Sequence, residues 1–309
     1  MKNYVILVDV NSDLSPELRK RFNIEYLKAH ITTPGNIDRD GILDWDFTNE
    51  NDFYTSLKKN KDAYKTAPAS PEEYKNAFLK YINSGFDVLS ISISTKLSGT
   101  YEFATMGRDL VLDENKNAKI FCVDSRKYSN GFGLLAIMAA MNRDKGMTIE
   151  ENVAWLEANR NNVHQMGWLD DLSFVAAKGR ISHPQAFFGQ LIGIKPLADF
   201  SPDGLVTVLG KAKGEEKAFK AIIEYMKRTI INPEEQIILM AETNRKEKTL
   251  KFKELIEKEF HPKEIIINTV YPSCGINVGP GLMAAYYFGT PVSEELKEET
   301  KILSEILGN

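Results

Sequence analysis

The first 145 residues alternate short apolar runs with longer stretches whose apolar residues recur at helical spacing, and no other feature of the sequence restricts the fold as much. YVILVDV (4–10) is nearly all apolar, DVLSISI (87–93) alternates apolar residues with serine, and AKIFCVD (118–124) is again apolar. Runs this short and apolar suit strands of a parallel sheet covered on both faces. IEYLKAHI (24–31) reads as a further strand. Helices are expected at SPELRKRF (15–22), DFYTSLKKN (52–60), behind Ser98 or Thr100 as N-cap, and over Ser129–Arg143. The polar turn Asp9, Asn11, Ser12 and Asp13 is expected to cap the first of them. Ser70 and Glu73, three apart, form a capping box for a helix ending near Gly85. Thr33–Asp46, with Pro34, Gly35 and Gly41, reads as a loop. KTAPASP (65–71) reads as an extended loop, since residues before proline avoid helical backbone.

A chain of 309 residues exceeds the ~250–300 at which single cores stop growing, so two domains are expected, at 1–160 and 161–309. Strand and helix alternation makes the first an α/β unit with a mainly parallel sheet. The helix starting near Thr148 bridges to a differently laid out second half. There GWLDDLSFVAAKGRIS (167–182) and FFGQLIGIKPLADF (187–200) precede LVTVLGKAK (205–213), with a hairpin at Pro202-Asp203-Gly204. QIILMA, a helix through Lys258, EIIINTV and GPGLMAAYYFG restore the alternation, giving a mixed α/β domain. A terminal amphipathic helix over 293–307 has Leu296, Thr300, Leu303 and Leu307 on one face.

Charge and motif counts exclude several functions. The net charge is −4 with scattered Lys and Arg, which leaves no footprint for nucleic acid or an anionic membrane. Asp9 interrupts the first apolar run too early for a signal peptide, and no run reaches the ~18 residues of a membrane helix, so a cytoplasmic protein is expected. Cys122, in a strand, and Cys274, read as lying in a loop near the candidate site, give neither a disulfide framework nor a zinc spacing. Gly131-x-Gly133-x-x-Ala136 and Gly279-x-Gly281-x-x-Ala284 lack the strand, tight turn and acidic partner of a dinucleotide fingerprint. There is no Walker loop or nucleophile elbow. His30, His164, His183 and His261 are dispersed and offer no metal site; neither a metal nor a cofactor is expected.

The stretch Ser90–Gly107 is the strongest candidate site. It sets Ser94, Thr95, Ser98 and Thr100 between a buried strand and a helix, where the first-turn amides and the positive end of the helix dipole favour an anion. Gly99 would let a carboxylate or phosphate approach the backbone. Asn11 and Ser12 with Asp9, and Asp124 with Ser125, sit at equivalent strand ends. Ordinary helix capping explains the same serines, and pairing of Ser98 with His30 as a serine nucleophile is the enzymatic alternative.

Several motifs in order resemble the DegV proteins, which include the fatty-acid-binding subunits of bacterial fatty acid kinase. DVNSDL (9–14) resembles the family's Asp-Ser-Thr-x-Asp-Leu turn, TAPASP (66–71) its Thr-Ser-x-Pro-Ser-Pro loop, and STKLSGTY (94–101) its Ser-Ser-x-Leu-Ser-Gly-Thr-Tyr signature. VDSRKYSNGFGLL (123–135), LSFVAAKGRIS (172–182), IGIKPLADFSPDGLVTVLGKAKG (192–214) and NVGPGLMAAYYFG (277–289) resemble its later segments.

The resemblance implies a two-domain α/β fold with a long-chain fatty acid between the domains. It further implies that a separate ATP-dependent kinase phosphorylates the bound carboxylate, the acyl phosphate feeding phospholipid synthesis. Carried over by position, Thr66 and Ser98 are the carboxylate ligands, with Ser94, the Gly99 amide and Asn277 beside them. Arg180 would contact the kinase or a phosphate, and Lys211 and Lys213 match a basic element after the hairpin. The chain departs from the pattern at Val10, Ala67, Lys178 and Asn277, the last standing where many members have histidine, and its residues beyond Thr290 have no counterpart. A serine hydrolase acting on acyl esters through Ser98 is the competing function.

Overall fold

The computed structural model describes residues 3–182 and 193–308. His183 and residues 187–192 of the run discussed above lie outside them. The chain begins with β1 (Tyr4–Asp9), α1 (Pro16–Phe22) and β2 (Ile24–Leu27), followed by β3 (Ala29–Thr33), β4 (Ile37–Gly41), α2 (Glu50–Lys59) and β5 (Lys65–Ala67). Next come α3 (Pro71–Asn83), β6 (Asp87–Ser92), α4 (Thr100–Glu114), β7 (Ile120–Asp124), α5 (Ser129–Asp144) and α6 (Ile149–Asn159). The remainder is β8 (Val163–Leu169), α7 (Ser173–Ala177), β9 (Ile194–Phe200), β10 (Val206–Lys213), α8 (Glu215–Thr229), β11 (Ile237–Glu242), α9 (Lys246–Phe260), β12 (Glu264–Thr269), α10 (Pro272–Val278), β13 (Leu282–Phe288) and α11 (Lys297–Leu307).

The apolar runs become a parallel four-stranded sheet in the order β2-β1-β6-β7. The second half forms a mixed six-stranded sheet, β10-β9-β8-β13-β11-β12, in which only β11 and β12 pair parallel. A small antiparallel sheet, β4-β3-β5, is inserted between β2 and α3. The expected architecture is therefore observed: a parallel sheet in the N-terminal part and a mixed sheet in the C-terminal part.

The helix α5 is apolar on every side because it packs against both sheets. Phe132, Leu135 and Ile137 share one cluster with Ile6, Val8 and Leu89 of the first sheet and with Phe200, Leu239 and Tyr286 of the second. Full burial of each such side chain contributes about 1.5–3 kcal/mol. The glycines of its abortive fingerprint serve this packing: a Cβ at Gly131 would meet the Phe200 ring at 2.7 Å, and one at Gly133 the Ser12 carbonyl oxygen at 2.6 Å.

Several local expectations are corrected. IEYLKAHI is not one strand; β2 joins the parallel sheet and β3 leaves it for the small one. The stretch 33–46 contains β4, whose IDRDG sequence has four exposed residues and hence no burial period to reveal it. Residues 65–67 are a strand paired with β3 rather than loop. Ser15, not the Asp9–Asp13 turn, caps α1 through the Leu18 amide. On α11, Glu299 is buried and Thr300 exposed, because Glu299 turns inward to accept from the Ser293 amide and hydroxyl. The Ser70–Glu73 capping box forms as expected. No helix among the described residues is long and apolar enough to cross a membrane.

Candidate functional site

Two buried carboxyls gather the elements that surround the site. Asp9, at the end of β1, accepts from the Asn11 amide (2.8 Å) and side chain (2.7 Å) and from the Ile93 amide beyond β6 (2.9 Å). Asp13 accepts from the Ser129 hydroxyl at the start of α5 and from the Tyr271 amide just before α10 (2.9 Å). Burial pushes Asp9 up to about 6 and Asp13 up to about 7 against these hydrogen bonds. The second sheet's α10 is thereby tied to the carboxyl ends of the first sheet, where ligands of parallel sheets bind.

A cavity of about 220 Å³ opens at this junction. Val10 and Asn11 line it from the turn after β1, and Ala29, Thr66 and Ala67 from the small sheet, with Pro68 just beyond it. Ile93, Leu97, Ser98, Gly99 and Thr100 come from the connection between β6 and α4, with Tyr128, Arg180 and the α10 residues Ser273 and Asn277 completing the wall. Thr66, Ser98, Gly99, Asn277 and Arg180, widely separated in sequence, are thus brought together. The α4 N-cap is Gly99, not Ser98 or Thr100, and no side chain caps the first-turn amides. The Ser98 and Thr100 hydroxyls instead lie 2.7 Å apart. Hydroxyls beside an uncapped helix start, with side-chain amides opposite, suit a carboxylate without burying an opposing charge.

The other candidates lie elsewhere. Ser94 is fully buried, is not among the lining residues and accepts from the Lys96 amide at 3.2 Å. The hairpin tip at Gly204 packs against its side chain, with φ +95° making glycine favourable there, so Ser94 shapes the loop behind the cavity. Lys211 and Lys213 sit exposed on β10, the edge strand, and do not line the cavity. Arg180 donates from Nε to the Leu97 carbonyl at 3.1 Å and from Nη1 to the Lys178 carbonyl.

No histidine, aspartate, glutamate or lysine lines the cavity among the described residues. His30, proposed as a partner of Ser98, lies 3.1 Å from Glu73 instead. His261 ends α9 in left-handed backbone, and His164 is buried in the second sheet. Cys274 lies in α10, not a loop; burial pushes its thiol well above the usual range, which makes it a poor nucleophile. The sequence reading places Asn11 at this strand end but does not single out Tyr128 or Ser273, which also line the cavity. The one available signal was the four-residue spacing of Ser273 and Asn277, which places both on one face only if the segment is helical.

A model of the DegV family, a family described as uncharacterised proteins, matches residues 3–290. The chain belongs to the DegV family. A DegV domain-containing protein of Clostridium perfringens is 30% identical over 289 residues, covering 94% of this chain and 98% of the relative. Among DegV structures, a fatty-acid-binding protein of Thermus thermophilus aligns with a TM-score of 0.81 at 22% identity, covering 94% of this chain and 100% of the other. DegV of Bacillus subtilis, a fatty acid binding protein, aligns with a TM-score of 0.76 at 23% identity over 93% and 100% of the two chains. A DegV protein of Ruminococcus gnavus with vaccenic acid gives 0.80 at 22% identity over 92% and 99%.

Proposed function

We propose that this DegV protein binds a long-chain fatty acid in a tunnel between domains 1–160 and 161–309. Thr66, Ser98, the Gly99 amide and Asn277 hold the carboxylate. The observation that carries the reading is their convergence on one cavity at the carboxyl ends of the parallel sheet. The fatty acid binding of structurally similar DegV proteins supports it. Each hydrogen bond to the charged head group contributes roughly 1.5–3 kcal/mol, and each buried methylene ~0.8 kcal/mol, so the tail supplies most of the affinity and the head group the orientation.

The protein then acts as a non-catalytic, cytoplasmic carrier that presents the head group to an ATP-dependent kinase. In that reaction a carboxylate oxygen attacks the γ-phosphorus of ATP held by the partner, ADP leaves, and the acyl phosphate enters phospholipid synthesis. Arg180 at the cavity, with Lys211 and Lys213 on the exposed edge strand, would meet the kinase or the transferred phosphate. A serine hydrolase needs a positioned base on its nucleophile, whereas Ser98 faces Thr100.

The test is titration of delipidated protein with oleate alongside an assay of p-nitrophenyl palmitate turnover. Saturable oleate binding without turnover is expected. Turnover abolished in Ser98→Ala would establish the hydrolase instead.

A further inference from the structure

We propose that Ser273 is an additional head-group ligand, donating its hydroxyl to the carboxylate from the C-terminal domain, across the cavity from Ser98. This rests on the fatty acid reading above. Ser273 is only 3% exposed, lines the cavity, and its Oγ hydrogen-bonds to no group among the described residues. A buried hydroxyl without a partner costs stability that alanine would not, and of the buried hydroxyls without a partner among the described residues only that of Ser273 belongs to a residue lining the cavity. Local rules of this kind are broken mainly at functional sites.

The backbone that carries this hydroxyl is fixed on both sides. The Gly275 amide donates to the Tyr271 carbonyl at 2.8 Å, and the Tyr271 amide to Asp13 at 2.9 Å, fixing the first turn of α10. Phe53 and Tyr54 of α2 close on Gly275, where an added Cβ would meet the Tyr54 hydroxyl at 2.7 Å. The end of β4 covers the other side: a Cβ at Gly41 would lie 3.1 Å from Ser273 Oγ. One turn on, Asn277 shares the same face, and its side-chain amide makes only a long 3.4 Å bond to the Ser273 carbonyl. It too remains available to the head group. The carboxylate is then gripped from both domains, by Ser98 on one and by Ser273 and Asn277 on the other.

The experiment compares delipidated wild type, Ser98→Ala and Ser273→Ala by calorimetric titration with oleate and by melting temperature without ligand. Loss of one net hydrogen bond predicts about tenfold weaker binding for Ser273→Ala, with a ligand-free melting temperature equal to or above that of wild type. Wild-type affinity in Ser273→Ala beside weakened Ser98→Ala would overturn the assignment while leaving the fatty acid reading intact. Weakened binding with a lowered ligand-free melting temperature would make Ser273 structural and also overturn it. Absence of oleate binding in the wild type would overturn both.

Discussion

His164, Asp199 and Tyr225 on one side, and Thr66, Ser98 and Asn277 on the other, make the sharpest contrast in this molecule. The first group has the ingredients of acid–base catalysis. His164 Nδ1 lies 2.6 Å from Asp199 Oδ2, Tyr225 donates to the same oxygen at 2.8 Å, and the Gln165 and Phe200 amides donate to Oδ1 at 2.8 and 2.7 Å. The other ring nitrogen faces the Thr290 carbonyl at 2.7 Å. Both ring nitrogens thus face oxygen partners. Yet His164 and Asp199 have 0% exposed side chains, and this group can meet no substrate. The second group reaches a cavity but contains no base. Residue chemistry and access have been separated: the histidine–aspartate pair is sealed within the second sheet, and the neutral hydroxyls line the cavity.

The largest effect that could break this contrast is on stability. His164→Ala leaves Asp199 buried without its cation, a change that costs about 3–5 kcal/mol. Urea denaturation should show that loss, while oleate affinity of the folded protein stays at the wild-type value. Thr66→Val and Ser98→Ala should do the reverse. Each is expected to lose roughly 1.5–3 kcal/mol of oleate binding and to change unfolding free energy by about 0.5 kcal/mol or less.

Dependence on pH sharpens the contrast further. Burial pushes Asp199 up, but the His164 charge and its hydrogen bonds outweigh that and hold it below the ordinary carboxylate value. Its stabilisation is present above the unfolded-state value and is lost as pH falls through the still lower folded one. Asp13 is the opposite case: raised to about 7, it favours the fold below the unfolded value of about 4, and that contribution is lost as pH rises to about 7. Asp13→Asn should therefore gain on wild type in denaturant melts at pH 8 and lose that advantage at pH 4. The smallest expected effect is that of Lys211→Ala and Lys213→Ala, exposed residues away from the cavity. Oleate affinity should be unchanged in both, within about 0.5 kcal/mol.

The parallel sheet was legible because its strands are apolar runs with no wet face, and the Ser70–Glu73 box because both partners lie within one turn. The strand β4 was not, since an exposed edge strand carries charges at positions a period would need. The candidate site divides the same way. Ser98 and Gly99 could be read from a strand–helix junction, but nothing in the spacing of Thr66, Ser98 and Asn277 brings them together; the family resemblance supplied that grouping. Ser273 escaped because Pro272, Gly275 and Gly279 suggest a loop, whereas the proline opens α10 and Gly279 ends it with φ +73°. Ser273 joins the cavity wall beside Asn277 only once that turn is helical.

The most direct measurement is denaturing mass spectrometry of lipid extracted from the purified wild type, Thr66→Val and Ser98→Ala proteins. Binding through the hydroxyl-lined cavity predicts one fatty acid per wild-type chain and marked depletion in both variants. A wild type that carries no fatty acid and takes none up on addition, or variants that retain it at full stoichiometry, would contradict it.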